Sequence, residues 1–194
     1  KMNKLYVTFI ALLYLSGCAV MEDQIDINYI GRGNIDVVDG ADKVNVTVTK
    51  HDRRSVYKDR VGVKLNGYGM EMAKITSNKD VSEIFSKAVE FELENLGFNI
   101  GSGGKIVKVE VVRFYNDFKI GWWAGDAVAD GLIQIIVMSK DEQILFSRSY
   151  EGGFINKNIQ LATGANAKVA LEGTLTDLIS KIAGDKELHN ALLR

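Results

Sequence analysis

The sequence predicts an α+β fold in which an antiparallel or mixed β-sheet carries two amphipathic helices packed on one face. Three observations carry that reading. Segments with apolar residues at every second position recur along the chain, and residues 43–50, with Val44, Val46 and Val48 on one side, form the cleanest of them. Two other segments, near 81–96 and 165–183, repeat their apolar residues at helical spacing instead. Short turns join the strand-like segments, as they do in hairpins, and two helices on one sheet face would bury it.

The first 24 residues stand apart from that domain. Lys1 and Lys4 precede an apolar run of 11 residues, 5–15. This length suits the hydrophobic stretch of a secretion signal and falls well short of the roughly 20 residues that span a bilayer. Leu15-Ser16-Gly17-Cys18 follows directly and has the pattern of a bacterial lipobox. Residues 1–17 are therefore expected to be a cleaved signal peptide, 18–24 a lipidated tether and 25–194 a single domain. The Cys18 thiol would take a diacylglyceryl group and its freed amine an acyl chain, and no other cofactor is expected. Several acyl chains anchor stably, at about 0.8 kcal/mol per buried methylene. Ala19, where an Asp retains many lipoproteins in the inner membrane, favours the outer membrane, and the domain is expected to face the periplasm.

Composition narrows the partners. Cleavage before Cys18 leaves 177 residues, enough for one domain with a sizeable core. Without Lys1 and Lys4, 22 basic residues face 25 acidic ones, a net charge of −3 that argues against a nucleic-acid partner. Cys18 is the sole cysteine, so no internal disulfide is expected. The chain has no proline, which excludes a proline-stiffened tether, and its 19 glycines make the turns.

The elements read as follows. Residues 24–30 alternate, with Ile25, Ile27 and Tyr29 on one side, and a turn follows at 31–34. After the strand at 43–50, the charged segment 51–57 reads as a loop. Residues 61–65 alternate again, 66–69 form a turn, and 70–75 form a short strand. Asp80 is placed to cap a helix over 81–96, with Glu83 in capping-box position and Gly97 as the stop. Val81, Ile84, Phe85, Ala88, Val89 and Leu96 share its apolar face. Glu92 projects into that face and is expected to snorkel out at the edge. Residues 101–104 form a turn, and 105–115 and 127–139 are strong strands, the second with a central character. Between them, 118–126 reads as a loop carrying Trp122 and Trp123. Residues 143–150 return as a hairpin strand, and the chain turns helical after Gly152-Gly153. Leu171, Leu175, Leu178 and Ile182 make the stripe of the second helix, which Gly184 ends. Asp185 caps a last helix to Leu193.

Catalytic signatures are weak. Gly103-Gly104-Lys105 lacks the earlier glycine of a phosphate-binding loop, where Asn99 stands, and the following Ser or Thr, where Ile106 stands. His51 and His189 lie far apart without metal-ligand spacing. Asp117, Asp126 and Asp130 flank the tryptophan loop and could in principle serve as paired carboxylates, but they read better as acidic surface residues. Trp122 and Trp123 are the most distinctive feature of the mature chain. In a strand one would be buried and the other exposed; in a loop both could be exposed, as anchors for a partner or platforms for a sugar ring. Phe114, Tyr115 and Phe118 are expected to enlarge that aromatic surface.

The stretch 121–138, the segments Tyr150-Glu151-Gly152 and Asn156-Lys157-Asn158-Ile159, and the ending Leu175-Thr176-Asp177-Leu178-Ile179 with Asp185 and Leu188 resemble the YajG-type lipoproteins of Gram-negative bacteria. The order of parts does too, including a helix that ends in Leu-Gly-Phe at 96–98. Residues 160–168 stand as an insertion in that pattern, and Trp122-Trp123 departs from it. The resemblance implies an outer-membrane lipoprotein with an α+β fold and no catalytic residues.

Taken together, the sequence leads us to expect a non-enzymatic lipoprotein that acts as a scaffold or accessory subunit of an envelope assembly, with a protein partner or a second copy of itself. A peptidoglycan- or glycan-binding module that uses Trp122 and Trp123 is the alternative.

Overall fold

The computed structural model describes residues 21–31, 33 and 36–194. Cys18 and the segment 1–17 lie outside the described residues. Among the described residues the elements run β1 (Asp23–Ile25), β2 (Asn45–Asp52), β3 (Gly62–Leu65), β4 (Glu71–Ser77), α1 (Val81–Asn95), β5 (Asn99–Ile100), β6 (Lys105–Lys119), β7 (Gly125–Met138), β8 (Ile144–Ile159), α2 (Gly164–Ala183) and α3 (Lys186–Leu193).

The strands make one mixed sheet organised by β6. Along one edge β6 pairs antiparallel with β7, which in turn pairs antiparallel with β8. Along its other edge β6 pairs in parallel first with β2, through residues 105–111, and then with β3 at Asn116. A register shift between Val111 and Arg113 marks the change of partner. β4 joins β3 antiparallel, and β1 joins β4 in parallel. This is the α+β architecture that the sequence predicts.

β7 shows how the sheet divides into two faces. Ala127, Ala129, Ile133, Ile135 and Val137 are buried, while the residues between them are half-exposed. Such period-two alternation follows from side chains pointing to opposite sides of a strand. Helices α1 and α2 cover the buried face. Phe85 of α1 meets Phe114 of β6 edge to face at 5.0 Å, and Leu171, Leu175 and Leu178 of α2 are fully buried. Each such large apolar side chain contributes about 1.5–3 kcal/mol through burial. Asp80 caps α1 as expected, accepting from the backbone N–H groups of Ser82 and Glu83. The reciprocal half of the capping box is absent, because Glu83 pairs with Lys50 instead.

Several expectations need correction. Glu92 does not snorkel: it is buried, and its Oε1 accepts a hydrogen bond from the Tyr29 hydroxyl at 2.6 Å. His51 and Asp52 extend β2 rather than opening a loop. Asp23 and Gln24 already pair with β4, although they fall within the segment expected to be a tether. The largest difference is β8, which continues through Gly152-Gly153 to Ile159. Gly152 sits under α2, where a side chain would collide with the Asp177 carboxylate, so this glycine serves close packing and does not end the strand.

The loop after β2 is built around Arg54, which is nearly buried. Its guanidinium pairs with Asp52 at 2.8 Å and donates to the carbonyl oxygens of Tyr57, Lys58 and Arg60. Burial would raise the Asp52 carboxyl pKa, but the bonds from Arg54 outweigh it and hold the group below the usual carboxylate range.

Candidate functional site

Trp122 and Trp123 occupy the tip of the β6–β7 hairpin, in the loop 120–124. Strand pairing continues to Lys119 opposite Asp126, so the loop is shorter than 118–126. A side chain at Gly121 would collide with the Ala124 carbonyl, and one at Gly125 would lie 2.5 Å from the Lys119 carbonyl oxygen. The chain turns too tightly on itself to enclose either indole. Both tryptophans are exposed, Trp122 at 91% and Trp123 at 85%. The strand alternative, with one of them buried, is thereby excluded.

Two further loops lie at the same end of the molecule. The β3–β4 turn carries exposed Tyr68 and Met70, and the β8–α2 connection carries exposed Leu161. An isolated bridge joins Leu65 to Ala162, and the three loops border a shallow depression of about 210 Å³. None of the residues 65–70, 120–125 and 159–164 is charged, in a chain that is 25% charged. Tyr68 and Leu161 escaped sequence reasoning. The available signal was the turn Asn66-Gly67-Tyr68-Gly69, which leaves an aromatic residue no strand or helix face to pack on.

The aromatic residues upstream do not join this surface. Phe114 is in the core, Phe118 is partly buried against it, and Tyr115 stacks on Tyr57 with ring centres 4.8 Å apart. Burial, together with the Asp117 carboxylate, pushes the Tyr115 phenol up to about 12.

The start of β1 reaches the same end. Lys64 Nζ donates to the Met21 carbonyl oxygen at 3.1 Å and pairs with Asp23 at 3.0 Å. The other Asp23 oxygen accepts from the Gly164 backbone N–H, at the start of α2, over 2.7 Å.

Of the three flanking carboxylates, two have partners of their own, and Asp117 lies diagonally across the β6–β7 ladder from Asp130. Asp126 accepts from the Asn158 backbone N–H and Asp130 pairs with Arg113 at 2.8 Å. Asp117 is raised above the usual range by burial and by the Asp130 charge. His51 is exposed on β2, and a ring nitrogen of His189 lies 3.0 Å from the Ala183 carbonyl oxygen. Among the described residues, no three His, Cys, Asp or Glu side chains gather in a way that could hold a metal ion. Gly103-Gly104-Lys105 leads into strand β6, not into the helix that a phosphate-binding loop requires.

A model of a family described as uncharacterized lipoprotein matches residues 35–193. No curated protein matches the chain. Among solved structures, protein XCC0632 from Xanthomonas campestris superposes with a TM-score of 0.55 at 15% identity, over 86% of this chain and 96% of that one. A minor lipoprotein from Acinetobacter baumannii gives a TM-score of 0.46 at 6% identity, over 75% of this chain and 92% of that one. The first of these likenesses concerns the fold alone. No helix among the described residues is long and apolar enough to cross a membrane.

Proposed function

This chain belongs to a family of uncharacterized lipoproteins, and from that premise we propose that it is a non-catalytic lipoprotein of the outer membrane, anchored through Cys18 and facing the periplasm. Its role is that of a scaffold or accessory subunit in an envelope assembly. The kinship with YajG-type lipoproteins is part of this reading.

The observation that carries it is the helix-free face of β6–β8. On β7 that face presents Val128, Leu132, Ile136 and Met138, all half-exposed, interleaved with Asp130 and Gln134. A sheet face that mixes apolar and polar side chains in this way suits a protein contact with an apolar centre and polar surroundings. The test is co-purification after mild detergent extraction from the native host. The proposal expects a defined partner, or a second copy, to travel with the protein. A protein that always runs as a lone monomer would contradict it.

The exposure of Trp122 and Trp123 favours a second reading, a peptidoglycan- or glycan-binding module in which the indoles stack on sugar rings. Retention on purified peptidoglycan tests it. Equal retention of the Trp122→Ala, Trp123→Ala double variant would remove that role from the pair.

A further inference from the structure

We infer that the end of the domain bearing Trp122 and Trp123 docks on the lipid bilayer that holds the protein, with the indoles seated in the membrane–water interface. This rests on the reading of Cys18 as the lipidated residue.

Strand directions bring the start of the domain to the tryptophan end. β1 runs parallel to β4, β4 antiparallel to β3, and β3 parallel to β6. The N-terminal side of β1 therefore points the way that β6 points at its end, toward the tryptophan loop. The Lys64 contacts to Met21 and Asp23 fix that placement, since the next residue, Leu65, already borders the depression beneath Trp122 and Trp123. Cys18 precedes Met21 by three residues. Fully extended, three residues reach about 10 Å. The polar layer on each side of a bilayer is itself about 5–8 Å thick. A lipid on Cys18 thus holds this end of the domain within about one or two headgroup layers of the hydrocarbon core.

The chemistry of that end fits its position. Trp122, Trp123 and Tyr68 are amphipathic aromatics of the kind enriched at membrane interfaces; Leu161 borders the same depression, and Met21 and Met70 are exposed at this end of the strands. The three loops themselves carry no charge, so the tips that would enter the interface bring no ionised group with them, while the exposed charges of Glu22, Glu71 and Lys119 flank the tips at headgroup level. The opposite end differs. The β7–β8 turn, roughly 45 Å away along the 14 residues of β7, carries Lys140, Asp141 and Glu142. The molecule is therefore polarised along its strands, apolar and aromatic where the anchor enters and charged at the far end.

The two tryptophans are the only ones in the chain, so its indole fluorescence reports on this loop alone. The full lipidated protein would be reconstituted into phosphatidylethanolamine vesicles containing brominated lipids. We expect strong quenching by lipids brominated near the headgroup, weak quenching by aqueous iodide, and no change when phosphatidylglycerol or salt is added. The single-tryptophan variants Trp122→Phe and Trp123→Phe would each retain bromolipid quenching. Vesicle flotation separates the two claims. Failure to float overturns the anchor reading and this inference with it. Flotation with iodide-accessible, bromolipid-insensitive tryptophans overturns this inference alone. Shielding from iodide that appears only in native membranes, without bromolipid quenching, overturns it in favour of a protein cover.

Discussion

Lys64 Nζ donates to the backbone carbonyl of Met21 over 3.1 Å, although the two residues are 43 positions apart. The same ammonium pairs with Asp23, which in turn binds the first N–H of α2. One buried cation therefore joins β3, the start of β1 and the N-terminus of α2. Lys64→Met would remove both bonds while keeping most of the volume, and should cost about 1–3 kcal/mol. Chemical denaturation measures the loss. Amide exchange should accelerate more in β1 than in β7, because this contact holds β1 and does not touch β7.

Arg54 plays a similar part within its own loop, where its guanidinium fills the space between Asp52 and three carbonyl oxygens. Arg54→Ala leaves those acceptors and a partly buried carboxylate without their donor, which predicts a loss of about 2–4 kcal/mol. Arg54→Lys should recover only part of it, since an ammonium cannot reproduce the planar fork. Thermal unfolding of the two variants beside the wild type checks both statements.

Asp185 supplies a pH prediction. Its carboxylate caps α3 through the Glu187 and Leu188 N–H groups and accepts from the Tyr150 hydroxyl at 2.7 Å. Burial raises its pKa, but these bonds and Arg148 outweigh burial and hold the group below the usual carboxylate range. A lowered folded-state pKa contributes stability that is complete above the unfolded value, about 3.9, and is lost as pH falls through the folded one. Tyr150→Phe should cost about 1–2 kcal/mol at neutral pH and shrink that acid-dependent loss. Asp185→Asn should remove its share of the pH dependence. Stability measured between neutral pH and pH 3 tests the sign.

Trp122→Ala and Trp123→Ala should each change folding stability by less than about 0.5 kcal/mol, because neither side chain is packed. Denaturation of the soluble-phase protein checks this. A larger loss would mean that the loop is structural.

Residues 81–183 show where local sequence sufficed and where it did not. The stripes of α1 and α2 and the pairing of β6 with β7 follow from periodicity, because each of these elements buries one face against one layer, whereas β8 was legible only as far as Tyr150. Gly152-Gly153 misled, since a glycine pair reads as a break, whereas the need for Gly152 comes from Asp177 on a helix that packs across it. Glu92 misled for the same reason, because its partner Tyr29 lies 63 residues away. The tryptophan loop was visible as a motif. Its nearness to the start of β1 was not, as it depends on the parallel β1–β4 pairing and on Lys64, and neither leaves a local pattern.

Both the proposed function and the membrane docking require a lipid on Cys18 that tethers this domain. Mass spectrometry of the N-terminal peptide, from protein isolated out of the bacterial membrane fraction, tests it most directly. The expected peptide begins at Cys18 and carries the mass of a diacylglyceryl group and an N-acyl chain. An unmodified peptide, or one that retains residues before Cys18, would contradict it.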